Sequence, residues 1–129
     1  MYKNEVIEFL LDNSLSEVEV VKDKKNVLVL TFFYDFDKDE IEAAESYAND
    51  EGDYEEKSTE WYGELFLPYL KDIAVDNVSD ILEELSEEFS CSYDMKYDEM
   101  DASTYTYMKY YVAIASQDSD EDLDVEEFI

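Results

Sequence analysis

The sequence predicts an α+β domain in which a four-stranded antiparallel sheet, made of two β-hairpins, packs against three to four helices. Two pairs of segments rich in β-branched and aromatic residues are each separated by a short polar turn. Apolar residues recur at helical spacing before and between these pairs. With 129 residues and 46% hydrophobic content, the chain is long enough for one domain with a core. We expect this acidic domain to span residues 1–116, followed by a flexible acidic tail at 117–129.

The first half of the chain predicts a helix, a hairpin and a second helix. Residues 2–12 have apolar side chains at helical spacing. Residues 17–22 alternate in polarity, and residues 27–34 are rich in β-branched and aromatic side chains, so the polar residues between them predict a turn. Asp37, followed three residues later by Glu40, has the spacing of a capping box. The helix that begins there has a narrow apolar face and should lie on the surface.

The second half predicts a long helical region and a second hairpin. Residues 58–89 contain the longest helical periodicity in the chain. Pro68 interrupts it, and two structures remain open: a kinked helix, or a new helix that follows a short extended segment at 61–67. Residues 91–97 alternate, and residues 104–115 are rich in Thr, Tyr, Val and Ile, which together predict the hairpin.

Charge dominates the composition. The chain has 37 Asp and Glu against 9 Lys, without any Arg or His, and its formal net charge is −28. A small domain stays soluble with a net charge of roughly 2 to 8 in magnitude. The excess indicates that the electric field of the protein has a use, because self-repulsion lowers the stability of the folded state. We therefore expect a basic surface as the partner.

Several kinds of chemistry are excluded or unsupported, and we predict no catalytic residue, no metal site and no cofactor. Without His, the usual triads and His-dependent zinc sites are absent. Without Arg, and with scattered Lys, direct binding of nucleic acid is not expected. Two Asp-rich segments that begin at Asp35 and Asp118 resemble the start of a calcium loop, but both lack its glycine and its closing glutamate. Paired carboxylates are too abundant here to indicate a hydrolase.

The sequence also indicates the cellular compartment of the protein. Cys91 is the single cysteine, and the N-terminal segment lacks the features of a signal peptide. No apolar run approaches the roughly 20 residues needed to cross a membrane, and anionic lipid would repel the chain. These features predict the cytoplasm of a bacterial host cell and no membrane partner. A homodimer remains open.

The candidate partner-binding surface consists of carboxylates with few lysines among them. Helical neighbours three or four residues apart lie about 5 to 6 Å from each other, which is the scale of phosphate spacing along a nucleic-acid strand. One array lies in residues 37–56, a second on the polar side of the long helix, and a third in the turn of the second hairpin. The predicted contact residues are Asp37, Asp39, Glu42, Glu45, Asp50, Glu51, Asp53, Tyr54, Glu55, Glu56, Asp80, Glu83, Glu84, Glu87, Asp98, Glu99 and Asp101.

Aromatic residues and the C-terminus offer two further contact sites. Six tyrosines are concentrated at residues 93–111, and some must face away from the helices. At the C-terminus Leu123, Val125, Phe128 and Ile129 are interleaved with acids. This ending resembles the acidic tip of bacterial single-stranded DNA-binding proteins, which implies docking into basic pockets. Trp61 and Phe66 are expected in the core.

The leading hypothesis is an acidic nucleic-acid mimic that occludes the basic DNA- or RNA-binding groove of a nuclease or defence enzyme. In size, charge and aromatic content the chain resembles small acidic proteins of phages and mobile elements that inhibit restriction enzymes or CRISPR effectors. The first alternative is an immunity or antitoxin-type protein that neutralises a basic toxin or nuclease. Adaptation to high salt, and an adaptor that docks through its tail, are two others.

Overall fold

A computed structural model describes residues 3–24 and 27–116 of the chain. The fold is α+β, with a four-stranded antiparallel sheet made of two hairpins and with three helices, as the sequence predicts. The tail at 117–129 and part of the first predicted turn lie outside the described residues. The elements are α1 (Lys3–Asp12), β1 (Leu15–Asp23), β2 (Val27–Asp35), α2 (Lys38–Glu51), a π-helical segment (Trp61–Phe66), α3 (Leu67–Phe89), β3 (Cys91–Tyr97) and β4 (Tyr107–Ser116).

The sheet has the strand order β1-β2-β4-β3. Each hairpin pairs its own two strands, and β2 pairs with β4 from Val27 opposite Ala115 to Asp35 opposite Tyr107. The two most apolar strands therefore lie in the centre, where both of their edges are hydrogen-bonded. The edge strand β1 is irregular, with register shifts on either side of Glu19, and such bulges twist an edge away from unwanted pairing.

One face of the sheet packs against the helices. Leu28, Leu30 and Phe32 of β2 are fully buried in a cluster that includes residues of all three helices. Phe32 stacks on Tyr110 of β4, with ring centroids 5.5 Å apart. Each such leucine contributes about 1.5 to 3 kcal/mol when it is removed from water. The main core is therefore a layer between this face and the helices.

Side chains close in sequence cap the start of α2 and the end of α1. The Asp37 carboxylate accepts a hydrogen bond from the Glu40 backbone N–H at 2.8 Å, and the Glu40 carboxylate accepts one from the Asp37 N–H at 3.0 Å. The predicted capping box is thus confirmed, and it satisfies two donors at the start of α2. At the end of α1, the Asn13 side-chain amide donates to the Phe9 carbonyl at 2.8 Å.

The segment before Pro68 is helical, so the extended alternative for residues 61–67 is wrong. Trp61–Phe66 forms a π-helical segment that leads directly into α3, with the Leu67 N–H bonded to the Tyr62 carbonyl five residues back. Pro68 lies in the first turn of α3. Proline has no N–H to donate, so one regular helical hydrogen bond is absent at this position.

Helix α3 ends at Ser90, which adopts a left-handed conformation with φ 51° and ψ 55°. Its N–H donates to the Ser86 carbonyl, and the chain then turns directly into β3. A non-glycine residue in this region loses about 1 to 2 kcal/mol through contact between its Cβ and the backbone. Ser90 is therefore a strained point that the connection between α3 and β3 requires.

Ser90→Gly should raise the free energy of unfolding by about 0.5 to 1 kcal/mol, because relief of this strain exceeds the added entropy of the unfolded chain. Urea unfolding followed by circular dichroism measures it. Ser92→Gly is the matched control, since Ser92 lies in β3. There glycine should lower stability by roughly 0.5 to 1 kcal/mol. Equal effects at both positions would contradict this account of Ser90.

Candidate acidic interaction surface

Helix α2 lies antiparallel along the N-terminal half of α3. Near the end of α2, the Tyr47 ring stacks on Tyr69 of α3 with centroids 4.9 Å apart. Asn49, half a turn later, accepts a hydrogen bond at 3.0 Å from the indole N–H of Trp61, which is 1% exposed. The end of α2 therefore meets the beginning of the long helical region. The predicted core position of Trp61 is confirmed.

The start of α2 is joined to the middle of α3 by Tyr34, at the end of β2. The Tyr34 hydroxyl donates to Glu40 Oε2 at 2.7 Å and accepts a hydrogen bond from the Asn77 amide at 2.7 Å. Burial and then the neighbouring Glu40 carboxylate raise the pKa of Tyr34 to about 12. The phenol thus stays protonated at neutral pH and links a strand to two helices.

Beyond this junction, the side of α3 that α2 covers continues as a row of acids. With 3.6 residues per turn, Asp80, Glu84 and Glu87 follow the same stripe of the helix as Tyr69 and Asn77. Asp80 and Glu84 line a shallow cleft of about 290 Å³ together with Tyr34 and Asn77. The predicted contact acids of α3 therefore follow the point where α2 begins, so the two arrays lie end to end.

The structure brings two of the three predicted arrays together. We call the carboxylates that flank Tyr34 along the two helices the junction surface. Glu45 is partly exposed and the others are exposed. Its members are Asp37, Asp39, Glu42 and Glu45 of α2 with its cap, and Asp80, Glu83, Glu84 and Glu87 of α3.

The remaining acids of residues 37–56 extend this surface at the end of α2. Asp50 and Glu51 lie in the last turn of the helix and are exposed. The other predicted contact residues of this array lie in the following loop and are exposed. They are Asp53, Tyr54, Glu55 and Glu56. The Tyr54 hydroxyl donates to the Glu64 carboxylate, which raises the pKa of Tyr54 and connects the loop to the π-helical segment.

The third array lies on a different side of the protein. Glu99, in the loop between β3 and β4, pairs with Lys71 of α3 at 3.6 Å. Lys71 follows Tyr69 by two residues, a rotation of about 200° around the helix, so the loop flanks the side of α3 opposite α2. Asp98 and Asp101 belong to the same exposed loop. The structure therefore separates Asp98, Glu99 and Asp101 from the junction surface.

Asp37, Asp98 and Asp101 of the predicted contact set also have structural roles. Asp37 is the N-cap of α2, and Asp98 accepts a hydrogen bond from the Tyr111 hydroxyl at 2.9 Å. Asp101 Oδ1 accepts hydrogen bonds from the Ser103 N–H, the Ser103 hydroxyl and the Thr104 N–H at 2.7 to 2.9 Å, and these bonds lower the pKa of Asp101. Substitution of any of them would alter local folding as well as surface charge. Other members of the set are better suited to tests of binding.

Sequence reasoning missed Tyr34 and Asn77 as the residues that align the arrays. Tyr34 continues the alternation of Leu30 and Phe32, which places it on the helix face of β2. This alternation was therefore sufficient to predict that Tyr34 faces the helices. Asn77 is 43 positions away in the chain, and nothing in the sequence pairs it with Tyr34.

Few positive charges lie near these acids. Among residues 3–24 and 27–116 the structure has three ion pairs, and the one on α2 joins Lys38 to Glu42 at 3.7 Å with both side chains well exposed. Exposed pairs of this kind contribute about 0 to 1 kcal/mol. Within the same residues no group of three or more Cys, Asp or Glu side chains is arranged to hold a metal ion. The chain can thus present dense negative charge to a partner.

Comparison with known proteins adds no family to this description, since no family model, curated protein or solved structure matches the chain. Among the described residues, no helix has the length and apolar character needed to span a membrane.

Tyr34→Phe should lower the free energy of unfolding by about 1 kcal/mol near pH 8, because it removes both hydrogen bonds but keeps the ring. The raised pKa of Tyr34 means that this contribution is complete below about pH 10 and is lost as the pH rises through about 12. The difference between wild type and variant should therefore shrink between about pH 10 and pH 12. Urea unfolding at several pH values measures it.

Tyr69→Phe is the control, because among the described residues its hydroxyl makes no hydrogen bond while its ring stacks on Tyr47. It should change stability by less than about 0.5 kcal/mol, without a pH-dependent difference. A Tyr34→Phe effect that stays constant up to about pH 12 would show that the phenol is not the titrating group.

Proposed function

We propose that this protein is an inhibitor that imitates nucleic acid and occludes the basic nucleic-acid-binding groove of a nuclease or defence enzyme, in the manner of anti-CRISPR or anti-restriction proteins. The observation that supports this most is the junction surface, in which the acids of α2 and those of α3 flank the hydrogen bonds from Tyr34 to Glu40 and Asn77. The proposed partner is a protein, and the chain itself needs no catalytic group, metal or cofactor for this role.

The dimensions of the row suit this role. At about 1.5 Å of rise per residue, α2 is about 21 Å long and α3 extends about 15 Å from Asn77 to Glu87. Arranged end to end they span roughly 35 Å, close to one helical turn of duplex DNA. Carboxylates three and four positions apart are about 5 to 6 Å from each other along each helix. Lys and Arg side chains spaced for phosphates would find acceptors at a similar interval.

The charge balance also favours a binding role over simple solvation. Solvated helices commonly mix signs, with Glu to Lys pairs four residues apart. From Asp76 to Glu88 there is no Lys, and α2 contains only Lys38. Such a surface destabilises its own fold by repulsion, and a basic partner would relieve that repulsion.

The proposed mechanism is competitive occlusion. Long-range attraction would steer the protein to the groove, and carboxylates would then replace phosphates as partners of its Lys and Arg side chains. The enzyme would remain chemically unaltered while its substrate is excluded. Because the Debye length falls from about 10 Å at 0.1 M salt to about 3 Å at 1 M, association should slow steeply with added salt.

One observation favours the alternative of an immunity or antitoxin-type protein. Tyr107 is 38% exposed and stacks on Phe33 at 4.8 Å, beside a cleft of about 410 Å³ that Asp98 and Asp101 also line. Rigid aromatic rings beside acids suit one dedicated basic partner. In that function this cleft, and not the junction surface, would dominate the affinity.

Reversal of Glu42, Glu45, Glu83 and Glu87 to Lys should weaken inhibition at least tenfold, because four lysines then replace carboxylates of the row and repel the basic groove. The measurement is displacement of a fluorescent duplex from restriction endonucleases and guide-loaded CRISPR effectors, followed by anisotropy. We expect the wild type to displace the duplex from at least one of these enzymes at low salt.

The matched control reverses Glu5, Glu8, Glu17 and Glu19, which are exposed on α1 and β1. Both variants change the net charge from −28 to −20, since each reversal adds two. If both lose inhibition equally, net charge acts without a defined site. If only Glu99→Lys with Tyr107→Ala, two residues that line the other cleft, abolishes binding to the target enzyme, the immunity-type alternative is supported. Displacement from none of the enzymes would contradict the proposal for these classes.

A further inference from the structure

The shallow cleft beside Tyr34, which we call the Tyr34 cleft, is built by three parts of the chain that are distant in sequence. Its volume is about 290 Å³, and no lysine of the described residues lines it. The polar residues that line it are Asn13 and Ser14 from the turn after α1, Tyr34 from β2, and Asn77, Asp80 and Glu84 from α3. The cleft therefore adds the end of α1 to the junction surface.

The hydrogen bonds around the Tyr34 cleft use donors and leave acceptors. The Asn13 amide nitrogen donates to the Phe9 carbonyl at 2.8 Å, and the Asn77 amide nitrogen donates to the Tyr34 hydroxyl at 2.7 Å. The Tyr34 hydroxyl donates in turn to Glu40. Among the described residues, no group donates a hydrogen bond to the amide oxygen of Asn13 or of Asn77. Both oxygens can therefore accept hydrogen bonds from a ligand.

Asp80 and Glu84 add two negative charges to these acceptors. Both side chains are exposed, and neither takes part in an ion pair of the described residues. Four positions apart on α3, they lie about 5 to 6 Å from each other on one side of the helix. The cleft thus combines two carboxylates with two amide oxygens, which suits a ligand that carries positive charge and several donors.

The C-terminal end of α1 contributes to the same electrostatic character. This helix ends at Asp12, immediately before Asn13 and Ser14 in the lining of the cleft. The C-terminus of a helix carries a partial charge of about −0.5, which stabilises a nearby cation. The last turn of α1 contains no basic residue. The helix therefore has no cation of its own at this end.

We propose that the Tyr34 cleft is the anchor site for one arginine side chain of the partner protein. This inference rests on the proposed function, because it names the group of a basic groove that the junction surface contacts. A guanidinium group carries five N–H donors in one plane and no acceptor, so it matches a cleft that presents acceptors from α3 and from the end of α1. Ile81, which is half-buried in the lining, provides apolar contact for the arginine methylene groups.

Two short peptides that differ only in their cationic residue test the proposal on the full chain. Acetyl-Gly-Arg-Gly-amide and acetyl-Gly-Lys-Gly-amide are titrated at low salt, and NMR follows the backbone and side-chain amide signals. The arginine peptide should shift the side-chain amide signals of Asn13 and Asn77. It should bind at least about fivefold more tightly than the lysine peptide, because an ammonium group is compact, strongly hydrated and has fewer donors. Equal affinities, with shifts spread along α2 and α3, would overturn the proposal.

Charge-neutral variants show whether the cleft itself binds the arginine peptide. Asp80→Asn with Glu84→Gln keeps the shape of the cleft and should weaken binding at least about tenfold, because charge-assisted hydrogen bonds become neutral ones. The matched control is Glu5→Gln with Glu19→Gln, at exposed positions outside the lining of the cleft. Both variants change the net charge from −28 to −26, since each substitution removes one carboxylate. Equal losses of affinity in the two variants would refute a defined arginine site.

The peptide titration and the duplex displacement described above separate this inference from the proposed function. If the wild type displaces the duplex but the arginine peptide leaves the signals of the cleft unchanged, the arginine site is refuted while occlusion still holds. If the peptide binds in the cleft but no enzyme releases its duplex, the arginine site is supported and the proposed function is contradicted.

Discussion

The structure depends on the burial of β2 on both of its faces. Every residue from Val27 to Phe32 is buried. Alternate side chains point in opposite directions, so Leu28, Leu30 and Phe32 face the helices while Val27 and Val29 face the other way. A central strand of this kind needs a packing layer on each side. The three helices provide one layer, and the strand order puts β4, with Ala113 and Ala115, beside β2 to complete the second face.

This apolar packing has to offset strong repulsion. A net charge of −28 opposes any compact state, and the three ion pairs of the described residues are too exposed to compensate for it. The acids are kept outside the core, where water screens them, but α2 and α3 still place two acidic rows end to end. Tyr34 maintains that arrangement through hydrogen bonds to Glu40 and Asn77. An arrangement that opposes folding is most readily explained by the proposed basic partner.

Features that depend on a few neighbouring residues were predicted well. The capping box at Asp37 and the two hairpins follow from contacts within a few positions of each other. At Pro68 the prediction stayed open, and its extended alternative was wrong, because proline excludes a regular hydrogen bond without specifying what replaces it. Tertiary contacts act on this segment, because its buried Trp61 donates a hydrogen bond to Asn49 of α2 and its buried Phe66 packs on Tyr105 with ring centroids 5.0 Å apart.

The sequence by itself determined the fold class, the N-cap of α2 and the acidic character of the surface, since these follow from local periodicity, spacing and composition. Only the tertiary structure decided which acids lie together. It joined the rows of α2 and α3 through Tyr34 and Asn77, and it separated Asp98, Glu99 and Asp101 on the far flank of α3. The physical reason is that the strand order and the antiparallel packing of α2 on α3 arise from burial of apolar faces. Those contacts join residues far apart in the chain, and no local pattern of charge encodes them.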